Sequence, residues 1–217
     1  MDEPGLSGRR GQARRNDATI LASARAVFVA DADAPVSAVA RHAGVGISSL
    51  YRRYVSKEEL LRTLCGDGLQ QYVDIARAAV EDESGEPWAV FAGFMERIVE
   101  ADTHTLTINL AGRFTPTERE YHNAVLAGEL NQRLVARAQA AGVLRDDVTA
   151  DDLSHVFEQI ASVHGSTPER TDQLRARYLT LQLDALRAPG NTPLPGPPPS
   201  SDEQRARWQP KLTDRSR

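Results

Sequence analysis

Four polar side chains close together in the first third of the chain could hydrogen-bond to nucleic acid. Ser48, Ser49, Tyr51 and Arg52 bring hydroxyl, phenol and guanidinium groups into one short segment, in which Leu50 is the apolar side chain placed to reach a core. Such groups bind base edges in the major groove of DNA, whereas they make a poor protein core. The segment is therefore predicted to be a short helix that reads DNA.

A preceding helix and a tight turn must position this segment. Val36, Val39 and Ala40 recur at helical spacing, and Ser37 is placed to cap that first helix. Gly44 follows where the chain needs a positive φ to turn sharply. The pattern predicts two short helices joined by a glycine turn.

The start of the next helix favours DNA binding over a purely structural corner. Ser56-Lys-Glu-Glu59 is a capping box that opens a longer helix. The free backbone N–H groups of such a helix start, with Lys57 beside them, can hold an anion such as a DNA phosphate. A corner in an ordinary helical bundle is the alternative, but it does not account for Tyr51 and Tyr54 flanking two arginines.

Residues 43–60, Ala-Gly-Val-Gly-Ile-Ser-Ser-Leu-Tyr-Arg-Arg-Tyr-Val-Ser-Lys-Glu-Glu-Leu, resemble the DNA-binding signature of the tetracycline-repressor (TetR) family. Residues 19–28 are similar to the first helix that supports it. The resemblance implies a three-helix DNA-binding head, a long fourth helix as connector, and a helical body that binds a ligand and dimerises. Two positions depart from the pattern: Gly46 stands where serine usually caps the recognition helix, and Ile47 follows where a small polar or basic residue is usual.

The recognition helix is predicted to span 47–54, with Ser48, Ser49, Tyr51 and Arg52 nearest the base edges and neighbouring residues on phosphates. Arginines in the segment 9–15 are expected to lie along the adjacent minor groove. The predicted DNA contacts are Arg14, Arg15, Ser37, Gly46, Ile47, Ser48, Ser49, Tyr51, Arg52, Arg53, Tyr54 and Lys57. Among these, Ser37, Tyr54 and Lys57 are assigned to phosphates.

The charge of the chain is divided between its parts, although the net value is −4. Residues 1–65 carry ten Lys and Arg against seven Asp and Glu, a net of +3. Residues 66–187 carry eleven against twenty, a net of −9. A basic head beside an acidic body would orient the head toward phosphate.

Several classes of protein are excluded by what the sequence lacks. No glycine-rich phosphate loop, no Gly-x-Ser-x-Gly elbow and no Cys/His metal spacing occurs, and Asp152 and His155 have no third ligand in sight. We therefore expect no enzymatic activity, no metal and no cofactor. The single cysteine, Cys65, suits a reducing compartment, and neither a secretory signal nor a long apolar run is present, so a cytoplasmic protein without membrane contact is expected.

The whole chain is predicted to be all-α, because no alternating β-branched runs with hairpin signals appear. After the head, capping residues and prolines predict helices over about 56–80, from Pro87, from Thr115 to Ala141, from Thr149 to His164, and from Ser166 to about Ala188. The predicted divisions are a flexible basic arm (1–15), a helix-turn-helix domain (16–62), an effector-binding and dimerisation domain (63–188) and a Pro-rich disordered tail (189–217).

The last helix carries two apolar stripes about 140° apart at 3.6 residues per turn, and only one of them can face the core of the chain. The stripe assigned to a second copy, together with apolar residues of the preceding helix, comprises Leu153, Val156, Ile160, Val163, Leu179, Leu183 and Leu186. A homodimer would let two recognition helices read a palindromic operator in double-stranded DNA. The alternative is that both stripes pack within one large bundle.

A small-molecule effector is expected between the helices of the body, the usual place for a pocket in such bundles. The candidate lining residues are Trp88, Phe91, Phe94, Met95, Asn109, Arg113, Phe114, Tyr121, Phe157 and His164. Their mainly apolar character favours an apolar or aromatic ligand. The resemblance to the TetR family implies that such a ligand releases a repressor from DNA. The alternative is a DNA-binding regulator without an effector, controlled by a protein partner or by abundance.

Overall fold

The computed structural model describes residues 4–104, 110, 113–189, 192–200 and 202–203, with side chains described from residue 16 onward. Within these ranges the chain contains no strand, which confirms the all-α prediction. The helices are α1 (Pro4–Ala30), α2 (Val36–His42), α3 (Ile47–Tyr51), α4 (Lys57–Glu81), α5 (Pro87–Glu100), α6 (Glu118–Ala140), α7 (Ala150–Ala161) and α8 (Pro168–Leu186). We call α1–α3 with the first turns of α4 the head, and the remainder of the helices the body.

The N-terminal segment differs from the predicted flexible arm, because α1 is helical from Pro4 onward. Proline is favourable in the first turn of a helix, and no later proline interrupts α1. Arg14 and Arg15 lie within this helix, and the positions of their side chains are outside the part of the chain that the structure describes.

The core of the head is built around α1, which buries Ile20, Ala24 and Phe28 against the other helices. Leu50 is the buried anchor of α3, as predicted. Gly44 lies in the turn between α2 and α3 with φ +65°, which confirms the need for a positive φ there. The turn can therefore be tight without backbone strain.

The predicted helix caps are correct in two places and displaced in two others. Ser56 caps α4 by accepting a hydrogen bond from the Glu59 amide at 3.1 Å, and Asp152 accepts from the Thr149 amide at 2.7 Å at the start of α7. Ser37, by contrast, is not a cap, because α2 begins at Val36 and Pro35 precedes it without a side-chain bond.

The start of α6 is also displaced, since the sequence offers two overlapping capping boxes. Thr117 and Glu120 form the box that is used: the Thr117 hydroxyl accepts from the Glu120 amide, and the Glu120 carboxylate accepts from the Thr117 amide. The helix therefore begins at Glu118, two residues later than a cap at Thr115 would place it.

The body packs α4 against α5 and α6, with α7 and α8 closing the other side. A buried hydrogen bond joins α4 to α6 across this core: the Tyr72 hydroxyl donates to the Asn131 side-chain oxygen at 2.8 Å. No helix in the described ranges is long and apolar enough to cross a membrane.

The two apolar stripes of α8 face in directions opposite to those predicted. Leu179, Leu183 and Leu186 are buried in the core of this chain, because α8 packs against α5 and α7 through that stripe. The stripe on the outer side carries Tyr178, 45% exposed, and Leu181, 54% exposed. The residues assigned to a partner on α7 and just after it are likewise turned inward: Leu153, Val156 and Ile160 are buried and Val163 is half-buried.

The Pro-rich segment after α8 is held against the loop between α6 and α7, whereas the sequence predicted disorder from residue 189. The Arg145 guanidinium donates to the Thr192 carbonyl at 2.6 Å and pairs with Asp147, which accepts from the Leu194 amide at 2.9 Å. This arrangement holds the pKa of Asp147 well below its usual range, mainly through the Arg145 hydrogen bond. Residues 204–217 lie outside the described part of the chain.

Candidate DNA interface and effector region

The helix α3, which the sequence predicts to read DNA, presents polar side chains to solvent and one buried anchor, Leu50, to the core. Ile47 is 39% exposed and Tyr51 47% exposed, Ser48 and Arg52 are exposed beside them, and Leu50 is fully buried. Gly46 stands at the N-cap without a side-chain bond, in an extended conformation that leads the chain out of the turn. The sequence predicts a helix over 47–54, whereas α3 ends at Tyr51.

Exposed groups on α2 extend this surface. Ser37 and Arg41 are exposed on α2, and Ser49 is half-buried on the inner edge of α3. Exposed hydroxyl and guanidinium groups therefore lie on both α2 and α3. Such groups can bind phosphates on either side of a groove while those of α3 contact base edges.

Three residues predicted to contact DNA make contacts within the head instead. The Arg53 guanidinium pairs with the Asp17 carboxylate on α1. Tyr54 is buried, and this burial raises the pKa of its phenol. Both residues act in packing α3 against its neighbours.

Lys57 is the third of these, and its partners are carbonyl groups of the head. Its ammonium donates to the Ala34 carbonyl at 2.8 Å and to the Ala32 carbonyl at 3.3 Å, and it lies 5.2 Å from the centre of the Phe28 ring. The two carbonyls belong to the loop between α1 and α2. Lys57 thus joins the start of α4 to that loop, where the sequence suggested a phosphate contact.

Several of the aromatic residues predicted around an effector do meet in the body. Phe91, Phe94, Met95 and Phe157 are all buried in one core, and the Phe94 and Phe157 rings lie 6.1 Å apart at an interplanar angle of 81°. Tyr72 joins them, with the centre of its ring 5.9 Å from the centre of the Phe94 ring in an edge-to-face arrangement. We call Tyr72, Phe91, Phe94, Met95 and Phe157 the aromatic cluster.

Other candidates for the effector region lie elsewhere. Phe114 is buried in the core of the head with Leu110, and Tyr121 is 60% exposed on α6. Arg113 is exposed and pairs with Asp33 in the loop after α1, which lowers the pKa of that carboxyl. His164 is exposed, with its ring nitrogen 2.7 Å from the Ser162 carbonyl.

The remaining two candidates are at the edges of the region. Trp88 is half-buried on the outside of the body core, with the Arg187 guanidinium 4.4 Å from its ring centre. Asn109 falls outside the residues that the structure describes.

His104 belongs to this region although the sequence did not single it out. Its ring lies 4.7 Å from the Phe157 ring and 5.5 Å from Tyr72, measured between centres. Its Nδ1 atom is buried and has no hydrogen-bond partner among the described residues, and burial lowers the pKa of the imidazole to about 4. A histidine in a polar stretch gives no periodic signal, so the sequence could not reveal this location.

Asn131 was also missed, although a signal for it existed. It is a polar residue within the buried stripe of α6, between Leu130 and Leu134. A polar group at such a position needs a partner in the core, and Tyr72 supplies it. Asn131 and His104 thus add polar groups beside the aromatic cluster, whose own polar group is the Tyr72 hydroxyl.

A groove of about 460 Å³ runs along α4 and α5 and is lined mainly by polar residues, among them Gln71, Asp74 and Arg97. In the residues that can be described, no three His, Cys, Asp or Glu side chains group to hold a metal ion. Cys65 is buried, which raises the pKa of its thiol to about 12.

Because His104 titrates near pH 4 when folded and near 6.5 when unfolded, the unfolded chain binds more protons between these values. We expect the free energy of unfolding to be unaffected by this group above about pH 6.5 and to fall as the pH is lowered from 6.5 to 4. At about 1.4 kcal/mol per pKa unit, the loss would reach about 3 kcal/mol. Denaturant unfolding at several pH values should show that the wild type loses about 3 kcal/mol more than His104→Phe between pH 6.5 and 4.

The exposed His122 provides the matched control, since His122→Gln should leave the pH profile unchanged. Parallel profiles for wild type and His104→Phe between pH 4 and 7 would show that the imidazole is not buried in its neutral form.

Both parts of the chain match known protein families. Residues 20–64 match the model for bacterial regulatory proteins of the tetR family, and residues 86–188 match the model for the SbtR-like transcriptional regulator C-terminal domain. The first match covers the helix-turn-helix, and the second covers the body from the start of α5 to the end of α8. No curated protein sequence matches the chain.

Solved structures of transcriptional regulators share the fold of this chain. A TetR transcription regulatory protein from Mycobacterium vanbaalenii is 25% identical, with 82% of this chain and 99% of that chain covered and a TM-score of 0.54. The ketosteroid transcriptional regulator KstR2 of Mycobacterium tuberculosis is 20% identical, with 80% and 95% covered and a TM-score of 0.58. The regulator LfrR from Mycobacterium smegmatis, solved in complex with proflavine, is 18% identical, with 83% and 99% covered and a TM-score of 0.55.

Taken with the helix-turn-helix geometry of the head, the two family matches show that this chain belongs to the TetR family of DNA-binding transcriptional regulators, which are not enzymes.

Proposed function

We propose that this chain is a homodimeric repressor that reads a palindromic operator with α3 and is released by a small apolar or aromatic effector bound in the body. The observation that carries the proposal is the exposed polar face of α3 around the single buried anchor Leu50. This face is exposed to solvent in the part of the chain that the structure describes, and it carries the groups that DNA recognition requires.

The contacts of α3 with DNA follow from the chemistry of its exposed residues. Arg52 can donate two hydrogen bonds to a guanine, and Ser48 and Tyr51 can bond to base edges or phosphates. Ile47 is exposed enough to meet a thymine methyl group. Ser37 and Arg41 on α2 would hold phosphates, and Lys57 and Arg53 would support the head from within.

Dimerisation would use the outer stripe of α8. Tyr178 and Leu181 are exposed there, and the half-buried Leu174 adjoins them one turn earlier. A second copy that covers this stripe would remove the apolar surface from water. Two heads in one dimer could then bind half-sites about 34–36 Å apart, one turn of DNA.

The effector is assigned to the aromatic cluster and its surroundings. Phenyl rings and the buried Nδ1 of His104 suit a ligand with an apolar or aromatic body and a hydrogen-bonding group. LfrR, which has the same fold, was solved with the aromatic compound proflavine. Control by a protein partner or by abundance is the alternative, and it requires no ligand site.

Selection of DNA fragments from random duplexes by the purified protein tests the readout. We expect an inverted repeat, with Arg52→Ala costing about 1–3 kcal/mol on the selected sequence and relaxing the base preference at one position in each half-site. Arg41→Ala is the matched control, because loss of a phosphate contact should weaken all sequences alike and reduce the salt slope by about one unit. Uniform loss of affinity in both variants would contradict the assignment of Arg52 to bases.

Substitution of the outer stripe tests the dimer. Leu181→Glu should yield a folded monomer in light scattering, because a carboxylate would be desolvated in the interface but solvated in the single chain. Leu194→Glu, at an exposed leucine of the tail, should leave the assembly unchanged. A Leu181→Glu protein that remains dimeric, or a wild type that is monomeric at micromolar concentration, would contradict this interface.

Thermal unfolding in the presence of a metabolite collection tests the effector, since a compound that binds only the folded protein raises its unfolding temperature. A stabilising compound should then bind more weakly when operator DNA is present, by the same factor of roughly 5 to 150 by which it weakens DNA binding. Equal ligand affinities with and without DNA would contradict release by that compound.

A further inference from the structure

Asp102 occupies an unusual backbone position directly after α5. Among the residues that the structure describes, it is the one non-glycine residue with positive φ, at +48°. Aspartate and asparagine tolerate this left-handed region better than other side chains. At this turn the side chain and the carbonyl of Asp102 bind different parts of the chain.

The side chain of Asp102 binds to α8. Its carboxylate accepts a hydrogen bond from Arg175 at 3.0 Å, and Arg175 is only 7% exposed. The same guanidinium donates to the Ala161 carbonyl at 2.9 Å and to the Val163 carbonyl at 3.2 Å. These carbonyls lie at the end of α7, so one buried arginine ties together the ends of α5 and α7 and the middle of α8.

The main chain of Asp102 binds to the head. Arg25 of α1 donates to the Asp102 carbonyl at 2.9 Å and to the Ala101 carbonyl at 3.3 Å. Arg25 follows Ala24, which is fully buried in the core of the head. The turn is therefore held on one side by the body and on the other by α1.

We propose that Asp102 is a positioning residue that couples the packing of the body to the orientation of α1, and so of the helix-turn-helix. The inference rests on the proposed function, because it names how occupancy of the body would reach the DNA-reading surface. His104, two residues after Asp102, stacks on Phe157 of α7. A change in the spacing of α5 and α7 around the aromatic cluster would thus displace the turn and pull on Arg25.

This route differs from transmission through α4 alone. The continuous helix α4 joins the head and the body, and Leu110 and Phe114, from the segment between α5 and α6, are buried in the core of the head. The bond from Arg25 to the Asp102 turn adds a polar connection between α1 and the end of α5. The nearby pair between Arg113 and Asp33 is exposed, where an ion pair contributes little and is screened by salt.

Three variants test the proposal on the full chain without ligand. Asp102→Gly keeps the positive φ but removes the carboxylate, whereas Asp102→Asn keeps both the backbone preference and an oxygen that can accept from Arg175. Arg25→Met removes the bond from the side of the head. Asp74→Asn is the matched control, because Asp74 pairs with Arg77 on the exposed face of α4 at 3.5 Å.

Amide hydrogen exchange over residues 16–30 reports directly on α1, and affinity for the selected operator reports on the consequence. We expect Asp102→Gly and Arg25→Met to speed exchange in α1 by about tenfold and to weaken operator binding by at least about fivefold, the lower end of usual coupling. Asp102→Asn should recover most of both properties. The Asp102→Gly, Arg25→Met double variant should be no worse than the more affected single variant, since both break one connection.

Unchanged exchange in α1 in folded Arg25→Met and Asp102→Gly would overturn the proposal, as would effects that simply add in the double variant. Should Asp102→Gly fail to fold, Arg25→Met decides the question, because it leaves the hydrogen bonds of Arg175 intact. A wild type that selects no DNA sequence would contradict the proposed function instead, while the exchange measurement would still decide whether the turn positions α1.

Discussion

One helix is shared by both hydrophobic cores of this protein, and the rest of the structure depends on it. Leu60, Leu61 and Leu64 in the first turns of α4 are buried in the head, whereas Tyr72 and Val73 are buried in the body. At 1.5 Å per residue, the 25 residues of α4 span about 37 Å without interruption. Neither core could be repacked substantially without moving a helix that the other core also uses.

The helix-turn-helix could be predicted from sequence because its determinants are local. Gly44 is needed for a turn between adjacent helices, Leu50 is the anchor of a five-residue helix, and Ser56 caps the helix that follows. Each of these features depends on residues within a few positions of one another. Periodicity and capping rules describe such short-range constraints well.

Features that depend on distant parts of the chain could not be obtained in this way. The periodicity of α8 shows two apolar stripes, but only the positions of α5 and α7 decide that Leu183 faces inward and Leu181 outward. Phe114 joins the head and not the aromatic cluster for the same reason. Lys57 was assigned to phosphate because its carbonyl partners, more than twenty residues earlier, are invisible to local pattern. With Lys57 and Arg53 occupied internally, fewer cations of the head are left for DNA than their number suggests.

The design of α3 also bears on how regulators of this kind diverge. The helix packs on the core of the head through one buried leucine, while the residues that would contact base edges are exposed and contribute little to packing. Substitutions at exposed positions of this kind usually change stability by less than about 0.5 kcal/mol. After gene duplication, a copy could therefore acquire a new target sequence through a few changes in α3 while it keeps the same folded scaffold.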